Sequence, residues 1–176
     1  MRFDSLKGWL DWQESLHPLA IDLGLERAAK VYHALNPDCL KPPTITVAGT
    51  NGKGSCIAYL EAIYRAQGYR VGAYSSPHIL KYNERIKING KPVSDEVICE
   101  AFSRIESVRG NTSLSYFEFG TLAALDMIID RREMRNKISG ILSLLMSGRA
   151  KTPVTFAPVQ MAFKAEEVVK HPSDQE

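Results

Sequence analysis

A short β-branched run, Thr44-Ile45-Thr46-Val47, passes through Ala48 into Gly49-Thr50-Asn51-Gly52-Lys53-Gly54-Ser55, and an apolar helical period begins directly behind it. Few local patterns restrict a fold so strongly. Three glycines in six positions let the backbone reach positive φ and turn successive N–H groups onto one concave face, where an anion can replace water. A helix starting near Gly54 aims its positive end at the same point, worth about 0.3–1 kcal/mol per charge at an exposed site. Strand, turn and helix together make a phosphate cradle. The strict spacing G-x-x-x-x-G-K-[ST] is not met, because Val47 stands where a glycine is required and Gly54 separates Lys53 from the hydroxyl of Ser55.

The flanking periodicities place this cradle in an α/β sheet. Ile57, Leu60, Ile63 and Tyr64 predict the helix behind the loop, Gly68 is placed to cap it, and Val71-Gly72-Ala73-Tyr74 predicts the next strand, completing a βαβ unit. Thr44 to Val47 itself reads as a buried parallel strand. Ahead of it, Ser5 to Glu14 and Leu23 to Leu35 carry apolar residues at helical spacing, and Lys41-Pro42-Pro43 breaks the chain. Ser75 to Asn83 has no period and is expected to be a loop at a strand's carboxyl end, where open α/β sheets bind ligands. Arg85 to Ile88 alternates and meets Asn89-Gly90, a hairpin signal. A helix is expected from Ser94, with Val97, Ile98, Ala101, Phe102 and Ile105 as its apolar face and a stop at Arg109-Gly110-Asn111. A further helix runs through Phe117, Thr121, Leu122, Leu125 and Ile128; beyond Asp130 the chain becomes charged and then loses sustained period.

Composition excludes several classes. In 176 residues, 44% hydrophobic and 24% charged side chains suit a globular domain with a real core, and a formal charge of +2 gives no reason to expect nucleic acid or an anionic membrane as partner. Three unevenly spaced cysteines, Cys39, Cys56 and Cys99, fit reduced thiols in a cytoplasmic protein. The longest apolar run, Ile138 to Met146, is interrupted by Ser139, Gly140 and Ser143, so neither a signal peptide nor a membrane span is expected.

Within the cradle, Lys53 is placed to set its ammonium against the β- and γ-phosphates of a nucleotide, and Ser55 is the best-placed hydroxyl for a magnesium ion. Ser76 is a candidate for a further oxygen ligand, although Ser75-Ser76-Pro77 taken alone reads as a turn. His78 fits a ligand, an acid or base, or a plain polar loop residue; Arg85 and Lys87 fit a solvated strand face. Phe119 reads as core. Phe117 and Glu118 offer an aromatic face beside a carboxylate, as a flat heterocycle with ring N–H donors needs.

Four stretches carry a resemblance: Ile21-Asp22-Leu23-Gly24-Leu25-Glu26-Arg27, Val47 to Ser55, Gly72 to His78 with Asn83-Glu84-Arg85-Ile86, and Ser115 to Thr121. In this order they resemble the N-terminal part of the bacterial dihydrofolate synthase/folylpolyglutamate synthase group of the Mur ligase family. The resemblance implies a three-layer P-loop-type sheet flanked by helices, the Mur ligase central domain, here incomplete, with residues 1–128 family-like and 129–176 a divergent tail. It implies a reaction in which a substrate carboxylate attacks ATP and the acyl phosphate is captured by L-glutamate. By motif, Gly49, Thr50, Asn51, Gly52, Lys53, Gly54 and Ser55 bind ATP, with Lys53 catalytic, and Ser55 and Ser76 hold Mg2+. Asp22, Leu23 and Gly24 with Ser115, Tyr116, Phe117 and Glu118 line the pocket for dihydropteroate or folate. A cytoplasmic monomer acting on small molecules is implied.

The family's next strand, L-D-V-x-I-L-E-V-G-L-G-G-R-L-D-A-T-N, has no counterpart here, and its glutamate is a metal ligand. A truncated form of the ligase, weakly active or inactive, is therefore expected. Two alternatives stand beside it: an ATP-binding module without catalysis, and another Mur-type amino-acid ligase acting on a cell-wall precursor.

Overall fold

The computed structural model describes residues 2–17, 25–37, 43–129 and 140–145. Two helices lead, α1 (Leu6–Leu16) and α2 (Glu26–Leu35), followed by strand β1 (Thr44–Val47), helix α3 (Lys53–Ala66) and strand β2 (Arg70–Tyr74). A 3₁₀ turn (Tyr82–Arg85) opens a hairpin of β3 (Ile86–Ile88) and β4 (Lys91–Pro92), and α4 (Asp95–Arg109), α5 (Tyr116–Ile128) and β5 (Gly140–Leu145) complete the order. Apart from β5 and the 3₁₀ turn, which no sequence pattern predicts, these elements match the sequence expectations closely, and their ends show why. Ser5 and Ser115 cap α1 and α5 through their hydroxyls, Gly68 at φ +84 turns the chain out of α3, and Asn89 and Gly90, both at positive φ, make the hairpin turn.

The sheet order is β1-β5-β2-β3-β4, with β5 parallel to both neighbours and β3 and β4 antiparallel. β1 and β2 share no hydrogen bonds; each pairs along its length with β5, Thr44 to Val47 opposite Leu142 to Leu145 and Arg70 to Tyr74 opposite Gly140 to Leu144. The βαβ unit therefore spans a strand that arrives almost a hundred residues later. It also leaves β1 at the sheet's edge, where only Thr44 is buried, so the expectation of a buried strand is corrected.

Alternation along β2 sends its side chains to two different layers. Ala73 packs with Ile57 of α3 and Val47 of β1, whereas Gly72 lies against Ile128 and Tyr74 faces Phe117, both of α5. The α5 side holds most of the core. Trp9 of α1, Phe102 of α4 and Phe119 of α5, each with no exposed surface, meet at ring separations of 5.4–6.4 Å. Burying side chains of this kind is worth about 1.5–3 kcal/mol each before entropy is counted. The α3 layer is thin by comparison: the helix buries Ile57 and Glu61, while Tyr59 and Ile63 are exposed. Val97, expected on the inner face of α4, is also partly exposed.

Candidate functional site

The loop between β1 and α3 is built as its glycines predict. Gly52 sits at φ +76 as the residue before α3, a left-handed conformation that costs a residue with a Cβ about 1–2 kcal/mol, and Gly49 takes φ +154. No side chain caps α3, and Thr50, Asn51, Gly54 and Ser55 around its start are exposed. A helix N-terminus whose first N–H groups lack intrahelical partners is an anion site in waiting. A Cβ placed on Gly52 or Gly54 would meet nothing within 4 Å, so the concavity is open.

Lys53 is folded over this loop. Its Nζ donates to the carbonyls of Gly49 at 2.7 Å and Thr50 at 3.1 Å, which fixes the ammonium above the turn. Both contacts are to backbone oxygens and are exchangeable for phosphate oxygens, which bind an ammonium more strongly.

Because β1 and β2 run parallel to β5, the loops at their carboxyl ends lie along the same edge of the sheet, two strand spacings or about 9.5 Å apart. Half-buried Ser76 and His78 belong to the second loop, and Ser76-Pro77 is a cis peptide. Among the described residues no group of three His, Cys, Asp or Glu side chains is placed to hold a metal. A hard cation there would depend on hydroxyls such as those of Ser55 and Ser76, on phosphate oxygens and on water, which is how magnesium often binds.

Glu84 was not singled out by its residue type, yet it organises the second loop. Its carboxylate accepts the backbone N–H groups of Ile79, Leu80 and Lys81 at 2.8, 3.0 and 2.8 Å, and these bonds hold its pKa below the ordinary value. Arg85, expected on a solvated strand face, instead donates from Nε to His78 Nδ1 at 2.8 Å and lies over the rings of Tyr82 and Tyr116. The signal for both was the Asn83-Glu84-Arg85 triplet itself, whose acid and base sit in a turn rather than a helix face.

At the start of α5, Ser115 and Glu118 form a reciprocal cap: Ser115 N donates to Glu118 Oε2 at 2.8 Å, and Glu118 N to Ser115 Oγ at 3.3 Å. The buried carboxylate of Glu118 also accepts from Arg27 Nη2 at 3.1 and 3.2 Å. Phe117 is half-buried, its ring 6.1 Å from that of Tyr74, and Tyr116 is half-buried against Arg85. Burial raises the pKa of Tyr74 and Tyr82, so both phenols stay neutral beside the arginine. Asp22, Leu23 and Gly24 lie outside the described residues, as do Cys39 and 146–176.

No family model matches the chain. Individual relatives do. The dihydrofolate synthase/folylpolyglutamate synthase of Escherichia coli K12 is 48% identical over 120 residues, which is 68% of this chain and 28% of the relative. That of Haemophilus influenzae is 45% identical over 122 residues, 69% of this chain and 28% of the relative. Among solved structures, E. coli FolC in complex with DHPP and ADP superposes with a TM-score of 0.71 at 42% identity, covering 80% of this chain and 33% of that one. This chain is homologous to the N-terminal part of those synthases.

The bifunctional synthase of Yersinia pestis, complexed with AMPPNP and Mn ion, gives a TM-score of 0.68 at 45% identity over 80% of this chain and 33% of its own. Shared architecture at this identity extends to the small open sheet and its helices, the fold of the Mur ligases. The chain spans about 28% of the length of the curated synthases it matches. No described helix is long and apolar enough to cross a membrane.

Proposed function

We propose that this chain is the nucleotide-binding front of an ATP-dependent ligase that joins L-glutamate to dihydropteroate or tetrahydrofolate. The observation that carries this is the open, uncapped start of α3 behind left-handed Gly52, with Lys53 Nζ held over the loop by two exchangeable carbonyl contacts. Support comes from homologues whose structures contain ADP, AMPPNP, Mn and L-glutamate. The sheet with helices packed on both faces is read as the three-layer P-loop-type core of the Mur ligase central domain, family-like over 1–128. The divergent tail, 129–176, contributes β5 to that sheet.

In the proposed reaction a substrate carboxylate attacks the γ-phosphate of ATP with ADP as the leaving group, and the α-amine of glutamate then displaces phosphate from the acyl phosphate and loses a proton as the amide forms. Two anions must approach, so the need is for fixed positive potential. Loop and helix N–H groups from Gly49 to Ser55 cradle the phosphates, and Lys53 leaves the carbonyls of Gly49 and Thr50 to bridge the β- and γ-phosphates. Ser55 and Ser76 would hold Mg2+, which when bound would supply charge neutralisation. Asp22, Leu23 and Gly24 with Ser115, Tyr116, Phe117 and Glu118 line the pterin pocket. Phe117 offers its ring face there, and Glu118, engaged by Arg27 and the Ser115 N–H, shapes the wall. The protein acts on small molecules as a cytoplasmic monomer.

Turnover needs a carboxylate that this polypeptide does not carry on β5. The six residues Gly-Ile-Leu-Ser-Leu-Leu at 140–145 include no acid, whereas the family strand after the corresponding helix supplies a glutamate to the metal. Titration calorimetry with Mg-ATP and a coupled assay of glutamate-dependent ADP release test both parts. Saturable binding that weakens at least tenfold in Lys53→Ala, with no ADP release, is expected. A folded chain that binds no Mg-ATP would sink the nucleotide assignment, and sustained release would sink the claim that turnover is lost.

A further inference from the structure

The Asn83-Glu84-Arg85 triplet commits each side chain to a different neighbour. Asn83 Nδ2 donates to Val93 O and Asp95 Oδ1, both at 2.8 Å, tying the turn to the start of α4. Glu84 gathers the N–H groups of residues 79–81, and Arg85 reaches His78. Four consecutive residues of the loop after β2 are thus held by two consecutive residues of the turn.

The contact to His78 has a chemical consequence, because a guanidinium has five donors and no acceptor. Two N–H groups cannot bond to one another. With Arg85 Nε 2.8 Å from His78 Nδ1, that ring nitrogen must present its lone pair, and the proton of the neutral ring resides on Nε2. Arg85 has little freedom to turn away: its guanidinium carbon lies 5.4 and 5.7 Å from the ring centroids of Tyr82 and Tyr116, and the His78 ring stands 5.8 Å from Tyr82. In this form neither imidazole nitrogen has a lone pair to give a metal. What remains is an N–H donor on a half-buried ring in the loop at the carboxyl end of β2.

We infer that Arg85 is a positioning residue that holds His78 in its Nε2–H form, so that the loop after β2 offers an imidazole N–H to a phosphate or carboxylate oxygen. The identity of the anion rests on the nucleotide and glutamate assignments above; the tautomer does not. Of the roles that the sequence leaves open for His78, this form excludes metal ligand and makes the polar loop residue a hydrogen-bond donor.

Long-range proton–nitrogen correlation spectra of the full chain, labelled at its four histidines, read the tautomer directly at fixed neutral pH. His78→Gln assigns the signals. The wild type is expected to show a bare Nδ1 and a protonated Nε2 at His78, and Arg85→Ala, with its fold checked by circular dichroism, is expected to show two exchange-averaged nitrogens. If Arg85→Ala does not fold, Arg85→Met, which keeps a long arm without an N–H donor, is compared instead. A protonated Nδ1 in the wild type, or an unchanged pattern in the folded variant, would overturn the positioning role. Inorganic phosphate, Mg-ADP and L-glutamate are then added separately. A shift of the His78 Nε2 signal with phosphate or Mg-ADP marks a phosphoryl oxygen as the acceptor, and a shift with glutamate alone marks a carboxylate. No response to any of the three overturns the donor role. Loss of Mg-ATP binding in calorimetry, with the tautomer intact, removes only the nucleotide assignment.

Discussion

Arg27 Nη2 lies 3.1 and 3.2 Å from the two carboxylate oxygens of Glu118, joining α2 to the first turn of α5 across 91 residues of sequence. The carboxylate is 7% exposed and the guanidinium 27%, so the pair is only partly screened. Removing one member of a fully buried pair costs about 3–5 kcal/mol, and the exposure of Arg27 reduces that to about 2 kcal/mol for Arg27→Met. Glu118→Ala is expected to cost about 3 kcal/mol, because the cap at Ser115 is lost as well, and Glu118→Gln less, since an acceptor remains. Urea unfolding of the three variants checks the order; equal stabilities would show that the pair and the cap do not contribute.

Gln13 points the other way. It is 1% exposed on the inner face of α1, and neither its Oε1 nor its Nε2 has a hydrogen-bond partner among the described residues. An unsatisfied buried amide costs about 1–3 kcal/mol, and leucine fills a similar volume without polar atoms. Gln13→Leu is therefore expected to raise the unfolding midpoint in urea with an unchanged slope; a lower midpoint would mean the amide has a partner in solution.

Gly72 allows β2 and α5 to touch. A Cβ there would lie 2.5, 2.6 and 2.8 Å from three side-chain atoms of Ile128. Overpacking of this kind costs about 1–3 kcal/mol, so Gly72→Ala should be destabilised. Trimming the opposing side chain in Gly72→Ala/Ile128→Val should restore part of the loss, and a double-mutant cycle measures the coupling. Additive losses would place the clash elsewhere.

The loop after β2 should loosen in acid. Hydrogen bonds from the Ile79, Lys81 and Leu80 N–H groups lower the Glu84 pKa below 4.5, so its contribution is full above the unfolded value and is lost as pH falls through the folded one. The amide proton shifts of these three residues are expected to move together with a midpoint below 4.5, and to be flat in Glu84→Gln. A midpoint at or above 4.5 would show that the three bonds do not form in solution.

Local chemistry made much of this protein legible. Gly52 and Gly68 take the positive φ that their positions demanded, Ser115 caps the helix it precedes, and Asn89-Gly90 turns the hairpin. These are decisions within a few residues, where steric limits and one hydrogen bond are enough. Placement across the chain was different. Glu118 reads from its neighbours as a wall of a heterocycle pocket, and the contact of its carboxylate with Arg27 is one that no spacing reveals. Arg85 reads as a surface charge, and only the return of the loop to the turn gives it His78.

The strand at Gly140 to Leu145 marks the boundary between the two kinds of information. As sequence it is part of an apolar run broken by small polar residues, and six such residues fit a strand or a buried helix turn equally well. What selects the strand is the sheet: β1 and β2 do not pair with each other, and each presents unmet N–H and C=O groups that a segment between them satisfies on both sides. The sequence by itself determined the cradle, because glycine φ, a helix start and one lysine are local. Only the tertiary structure decided what lies beside it, because backbone hydrogen bonding between distant strands depends on which edges are left open, and no single segment records that.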